Sequence, residues 1–190
     1  MKNTGIAIRL AIDTSDFEKI SALNHANLKQ YQTEESIREE GFVSWTYPVE
    51  LLEKMHAYAP SIVAMDGEKM AGYALVARQE AASVHPELAL LIDLLQGIQY
   101  EGKSLFQYRF YMMGQICVAK EYRGKGIPDA MYAYHREVNG DAFDFLLTTI
   151  STQNVRSIKM HERVGFEVIH TVNDRFGDWV VVVWDWRKRK

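Results

Sequence analysis

Gln115-Ile-Cys-Val-Ala-Lys-Glu-Tyr-Arg-Gly-Lys-Gly-Ile-Pro128 runs from a short apolar strand pattern into a glycine-spaced basic turn, and Asp129 to Val138 then reads as a helix. A strand, a tight turn and a helix start make an anion site, because unpaired backbone N–H groups and the positive end of the helix dipole converge there. Gly124 and Gly126 carry no side chain that would hold a diphosphate away from the backbone, and Arg123 and Lys125 add charge-assisted hydrogen bonds. The same residues also suit an ordinary basic surface turn. Two better-known phosphate loops do not fit. No G-x-x-x-x-G-K-[ST] string occurs, and Asp129 stands where a dinucleotide fingerprint needs its third glycine.

A second stretch, Asn154-Val-Arg-Ser-Ile-Lys-Met-His-Glu-Arg-Val-Gly-Phe166, follows the apolar run Phe143 to Ile150. At about 100° per residue, Asn154, Ser157, Ile158, Met160, His161 and Val164 share one helical face. Arg156, Lys159 and Arg163 take the opposite face, and Gly165 is placed as the C-terminal stop.

Together the two stretches resemble motifs A and B of the Gcn5-related N-acetyltransferase family. Motif A is Arg/Gln-x-x-Gly-x-Gly/Ala, met here by Arg123 and Gly126, with Pro128 departing at the last position. Proline has no N–H to offer a phosphate, yet it suits the first position of a helix. Motif B is Asn-x-x-Ala/Ser-x-x-x-Tyr-x-x-x-Gly-Phe, with His161 where tyrosine is commonest. The resemblance covers residues 105–186 and, more loosely, the whole chain. It implies an α/β (α+β mixed-sheet) fold: a central twisted, mostly antiparallel sheet flanked by helices, with the cofactor cleft between two splayed strands.

It also implies direct transfer of an acetyl group from acetyl-CoA to a primary amine of a small molecule or peptide. Arg123, Gly124, Lys125, Gly126 and Ile127 would hold the diphosphate. The backbone of Ile116, Cys117 and Val118 would pair with the pantetheine arm as a peptide adds to a sheet edge. An N–H of Cys117 or Val118 would polarise the thioester, and Asn154 would bind the arm from the other side. His161, pointed at the leaving sulfur, is the catalytic candidate; the competing reading is a packed helix-face histidine. A non-catalytic acyl-CoA-binding or sensing domain of the same fold is the alternative function.

No carboxylate occurs between Tyr108 and Val118, where family members often carry a glutamate, so the general base stays open, with Glu39 or Glu40 as guesses. Gly41-Phe-Val-Ser-Trp-Thr-Tyr47 reads either as an acceptor-binding segment or as the core anchor of a long connection. Cys117 reads as buried packing or, less simply, as an acyl-carrying nucleophile without a paired base. Met131, Tyr134 and Val138 read as the apolar side of the motif A helix, with His135 near its edge. Gly114 reads as a bulge that splays its strand from a neighbour.

Composition fits one domain over residues 1–190, with 47% hydrophobic residues across 190 positions. The net charge of −3 gives no global field for nucleic acid or an anionic membrane, and the basic Arg187-Lys-Arg-Lys190 ending reads as solvated. One cysteine excludes an intrachain disulfide, and the six histidines lack metal-site spacing, so no metal is expected. No run approaches a membrane span, and no signal-peptide h-region opens the chain, so a cytoplasmic setting is expected. A homodimer is compatible with all of this.

Along the chain, Ala7 to Ile12 alternates as a strand, and a helix pattern runs from Thr14 to Lys29. Pro48 to Tyr58 reads as a second helix. Ser61 to Met65 and Ala71 to Ala77 read as strands joined at Asp66-Gly-Glu-Lys. Glu87 to Gln96 reads as an apolar helix, and Glu167 to Val172 and Trp179 to Trp186 as closing strands.

Overall fold

Apolar residues alternate along the strands, and this alternation sorts the core into two layers on opposite sides of a sheet. In the computed structural model, residues 5–35, 37, 41–174 and 177–188 are described. The strands are β1 (Ala7–Leu10), β2 (Ile62–Asp66), β3 (Lys69–Ala77), β4 (Gln99–Tyr100), β5 (Lys103–Ser104), β6 (Phe110–Val118), β7 (Phe145–Ser151), β8 (Glu167–Asp174) and β9 (Gly177–Asp185). Seven of them form one sheet in the order β1-β2-β3-β6-β7-β9-β8. Every neighbouring pair is antiparallel except β6 and β7, which run parallel. β4 and β5 pair only with each other, a hairpin that the sequence reading did not contain.

The helices are α1 (Thr14–Asn27), α2 (Val49–His56), α3 (Pro86–Leu95), α4 (Ile127–Asn139) and α5 (Val155–Val164). On one face of the sheet, Val63, Leu75 and Met112 pack with Phe17 and Ile20 of α1, Leu52 of α2 and Leu88 of α3. On the other, Tyr111, Met113 and Leu146 pack with Tyr132 of α4 and with Ile158 and Val164 of α5. Ile62 and Ala74 continue that second layer against Ile127 and Met131.

Element ends differ from expectation for local reasons. α1 stops at Asn27 because Leu28 is extended and a 3-10 turn over Lys29–Tyr31 follows. α4 begins at Ile127, so Pro128 takes the second helical position and not the first. There its missing N–H is still one of those that have no helical partner. The buried face of α4 is shifted from the expected one: Met131 is buried as expected and Tyr134 packs beside it. Tyr132 and His135 are fully buried, while Val138 is exposed. No helix among the described residues is long and apolar enough to cross a membrane.

Candidate functional site

The site begins with a fork in the sheet. β6 pairs with β7 only at Phe110, Tyr111 and Met112, although both strands continue beyond that point. The β3 register shifts between Leu75, opposite Gln115, and Val76, opposite Met113, so Gly114 is the extra residue of a bulge. The bulge reverses the alternation: Gln115 and Cys117 face the α1 side, where uninterrupted pleating would put them on the other. Gly114 also comes close to Tyr47, since a Cβ built on it would lie 3.1 Å from the Tyr47 hydroxyl oxygen. At the branch point, the Thr148 hydroxyl donates to the Met113 carbonyl at 2.9 Å.

Beyond the fork, β6 keeps one paired edge and one open edge. Ala119 N–H donates to Ala71 C=O, which makes Val118–Gly72 a non-hydrogen-bonded pair and Cys117–Tyr73 a hydrogen-bonded one. The Cys117 N–H is therefore committed to β3, and Ile116 and Val118 turn their amide groups to the open edge. Of the two expected polarising donors, the geometry leaves Val118. The Val118 carbonyl accepts from Arg123 Nε at 3.2 Å. The Cys117 thiol is buried, and burial pushes it up to about 12, so it is packed and protonated instead of a ready nucleophile.

The open edge borders a cleft of about 700 Å³. Gly124 and Gly126 both have φ of +76°, the left-handed region where glycine is favoured, and a Cβ on either would meet nothing within 4 Å. They line this cleft together with Pro128 and Asp129, so the start of α4 opens into it. Arg123 sits on the same wall, its NH2 donating to Asn27 Oδ1 at 2.8 Å. Lys125 lies over the Tyr122 ring at 4.8 Å. Arg156, Lys159 and Arg163 of α5 border the cleft from across the fork. Arg163 also pairs with Asp129 at 2.7 Å, which offsets the one carboxylate beside the glycine turn.

Asn154 is the N-cap of α5 and precedes its helical face. Its Oδ1 accepts from Ser157 N–H at 3.3 Å, and its Nδ2 donates to the Phe42 carbonyl at 3.0 Å. It lies at the junction between the cleft and a smaller inner chamber of about 90 Å³. Both its polar atoms are engaged, so binding the arm as expected would exchange one of these bonds.

His161 borders the inner chamber but is buried. Its Nδ1 lies 2.7 Å from the Ser157 carbonyl, which can only accept, so Nδ1 carries the proton. Nε2 then accepts from the Tyr132 hydroxyl at 2.6 Å. Burial pulls the imidazole down to about 4. The ring is therefore neutral at pH 7, with both nitrogens engaged inside the protein. His135 is likewise a core residue. Its Nδ1 meets the Tyr111 hydroxyl at 2.8 Å, and burial lowers it to about 3.

The 41–47 segment is anchored in the core at one end and lines the inner chamber at the other. Phe42 and Trp45 line the inner chamber, whereas Tyr47 is fully buried. Asn24 of α1 holds the segment, accepting from Tyr47 N–H at 3.0 Å and donating to the Trp45 carbonyl at 2.9 Å. The same Nδ2 reaches Gln115 Oε1 at 2.7 Å, and Gln115 Nε2 donates to the Trp45 carbonyl at 3.1 Å. Sequence reading missed Asn24, Gln115 and Tyr73. A polar residue on the apolar side of α1 is the one local sign of such a network. Glu39 and Glu40 lie outside the described residues.

Residues 21–166 match the acetyltransferase (GNAT) family, and the chain belongs to that family. Solved structures agree in fold. A GNAT-family acetyltransferase from Streptococcus agalactiae superposes with a TM-score of 0.64 at 16% identity, over 98% of each chain. YncA from Salmonella typhimurium, assigned to the acetyltransferases and solved with acetyl-CoA, gives 0.61 at 20% identity, over 98% of this chain and 96% of the other. The ribosomal-protein-S18-alanine N-acetyltransferase from Escherichia coli gives 0.60 at 12% identity, over 95% and 93%. No curated protein matches the chain.

Proposed function

We propose that this chain, acting as one domain over residues 1–190, is an N-acetyltransferase that moves an acetyl group from acetyl-CoA directly to a primary amine of a small molecule or peptide. The observation that carries the reading is the open edge of β6 beyond Met112, running beside the cleft to a helix start with two left-handed glycines. An amide-bearing chain can add to that edge at Ile116 and Val118, and an anion can settle at Gly124 to Ile127 with Arg123 and Lys125 beside it. Cys117 belongs to this wall through its packing; its N–H is turned to β3.

In the reaction, the amine nitrogen bonds to the thioester carbon, the carbon–sulfur bond breaks and coenzyme A leaves with the electron pair. The amine gives up one proton, which ends on the departing sulfur, so the products are the amide and free coenzyme A thiol. Val118 N–H is the donor placed to stabilise the developing oxyanion. His161, held neutral between Ser157 and Tyr132, orders the chamber wall beside the departing sulfur. Asn154 caps α5 and sets the junction through which the arm passes.

Thiol release from acetyl-CoA, followed with a panel of amines, tests the reading, together with the rise in melting temperature on adding acetyl-CoA. Stabilisation with amine-dependent thiol release supports transfer. Stabilisation without release across the panel supports the sensing alternative, and neither result overturns both.

A further inference from the structure

β6 carries no carboxylate to take the proton of an acceptor ammonium. The Trp45 side of the inner chamber is backed by a group that can. His85 is the N-cap of α3 and is buried. Its ring meets that of Trp45 edge-on with centroids 5.5 Å apart, and that of Tyr47 with centroids 5.4 Å apart. Trp45 and Leu88, both in contact with His85, border the chamber.

Two polar atoms here are left over. Among the described residues, neither His85 Nε2 nor the Tyr47 hydroxyl has a hydrogen-bond partner, although both are buried. Unpaired buried polar groups are rare, and each calls for a role. The Tyr47 hydroxyl lies over Gly114, where a Cβ would stand 3.1 Å from it. Gly114 borders the chamber and puts no side chain in the way. The hydroxyl and Nε2 can close on each other directly or through one water.

The other ring nitrogen is equipped to release a proton. His85 Nδ1 lies 3.2 Å from Glu87 Oε2, which only accepts, and 3.4 Å from the Leu88 N–H, which only donates. It can therefore be held with its proton or without it, so the ring can take a proton at Nε2 and give one up at Nδ1. Glu87 is half exposed and opens this end to solvent. The titratable groups facing the ring are Glu87 from α3 and Tyr47 from the 41–47 segment. Burial lowers the imidazole below its ordinary range and Glu87 partly opposes this, so the ring is neutral at pH 7; burial also keeps the Tyr47 hydroxyl protonated.

We propose that Tyr47 and His85, backed by Glu87, carry away the proton of the acceptor ammonium. One ammonium proton passes to the Tyr47 oxygen as the hydroxyl proton passes to Nε2. The imidazolium then releases its Nδ1 proton past Glu87 to solvent. The amine keeps its lone pair for the thioester carbon, and the second proton, lost after attack, goes to the sulfur. His85 acts through Tyr47 and does not itself touch the acceptor. The proposal rests on the acetyl-transfer reading for its ammonium, and on the two unpaired atoms for its path.

The test is the pH profile of kcat/KM for thiol release with the fastest amine of the panel, in the parent, His85→Gln, Tyr47→Phe and Glu87→Gln. His85→Gln should lower kcat/KM about 100-fold at pH 7 and recover to within about tenfold of the parent at pH 10, where an alkylamine loses its proton to solvent unaided. Tyr47→Phe should follow the same course with a smaller loss. Glu87→Gln removes the charge that raises the imidazole, so the low-pH limb should move to lower pH. The KM for acetyl-CoA should hold in all three. In the coenzyme A complex, nitrogen-15 NMR should show the His85 Nε2 signal displaced by Tyr47→Phe, a readout that needs no acceptor.

An equal loss at every pH in His85→Gln marks a purely structural role and overturns the proposal. So does a low-pH limb unmoved by Glu87→Gln, or an Nε2 signal unmoved by Tyr47→Phe. If His85→Gln does not fold, the other two variants and the NMR signal decide. If no amine releases thiol, a displaced Nε2 signal keeps the relay and removes the transfer reading, whereas an unmoved one removes the relay.

Discussion

The two halves of β6 have the same neighbour in sequence terms and opposite fates. From Phe110 to Met112 the strand pairs with β7, is joined by β3 at Met112, and is buried. From Gln115 to Val118 it is bonded to β3 alone, and its other edge borders the cleft and the chamber. One bulged glycine separates them. The closed half can be argued as stability and the open half as binding, so substitutions near each should separate the two properties.

The largest effect is expected at the closed half. Phe145 is fully buried opposite Phe110 and stacks on it with ring centroids 5.2 Å apart. Phe145→Ala should cost about 3–5 kcal/mol in denaturant unfolding, the usual range for an emptied aromatic core site. A loss below about 1 kcal/mol would show that the closed half does not anchor the fork.

Next comes the open half. Gly126→Glu has room for its side chain but accepts the strain of a left-handed φ, about 1–2 kcal/mol. The folded variant should lose the stabilisation by acetyl-CoA, which for the parent is about 2.7 kcal/mol at a hundredfold excess over Kd. A full melting-temperature shift retained by a folded variant would remove the glycine turn from the binding site.

His161 joins the two properties. The unfolded chain binds a proton at this residue near 6.5, whereas the folded chain binds it only near about 4. Stability should therefore rise with pH through that window and level off above it, by at most about 1.4 kcal/mol per pH unit for each such group. His135, held down to about 3, adds to the same slope. His161→Gln should make the slope between pH 4 and 6.5 shallower by about one proton; an unchanged slope would mean that the ring is not held neutral. In turnover, His161→Ala should lower kcat by up to about 100-fold by loosening the wall that positions the thioester, more than it alters the KM for acetyl-CoA, and His161→Tyr, which refills the site with an aromatic ring, should retain appreciable activity. Unchanged kcat for a folded His161→Ala would end its proposed role beside the sulfur.

Pro128→Gly should have the smallest effect. At the second position of α4 the proline removes a donor that no helical carbonyl needs. Coenzyme A affinity should hold or tighten by a few-fold, as read by titration. A large loss with the fold intact would mean that the ring shapes the glycine turn.

Local chemistry was legible without coordinates. The glycine turn between β6 and α4, the α5 face ending at Gly165 and the bulge at Gly114 follow from residue types within a few positions of each other. What was not legible depends on partners far apart in the chain. Asn24 reaches Gln115 across 91 residues, and His161 reaches Tyr132 across 29. Tyr132 and His135 turn inward because α4 packs on a layer whose composition no single segment specifies.

The sequence by itself therefore determined the strand–turn–helix unit over 115–138 and the α5 face, because backbone conformation and side-chain periodicity are local properties. Only the tertiary structure decided that His161 is neutral, that Asn154 is a cap and that the Cys117 amide is spent on β3. Protonation, hydrogen-bond allegiance and strand-edge exposure are set by burial and by neighbours that folding brings together.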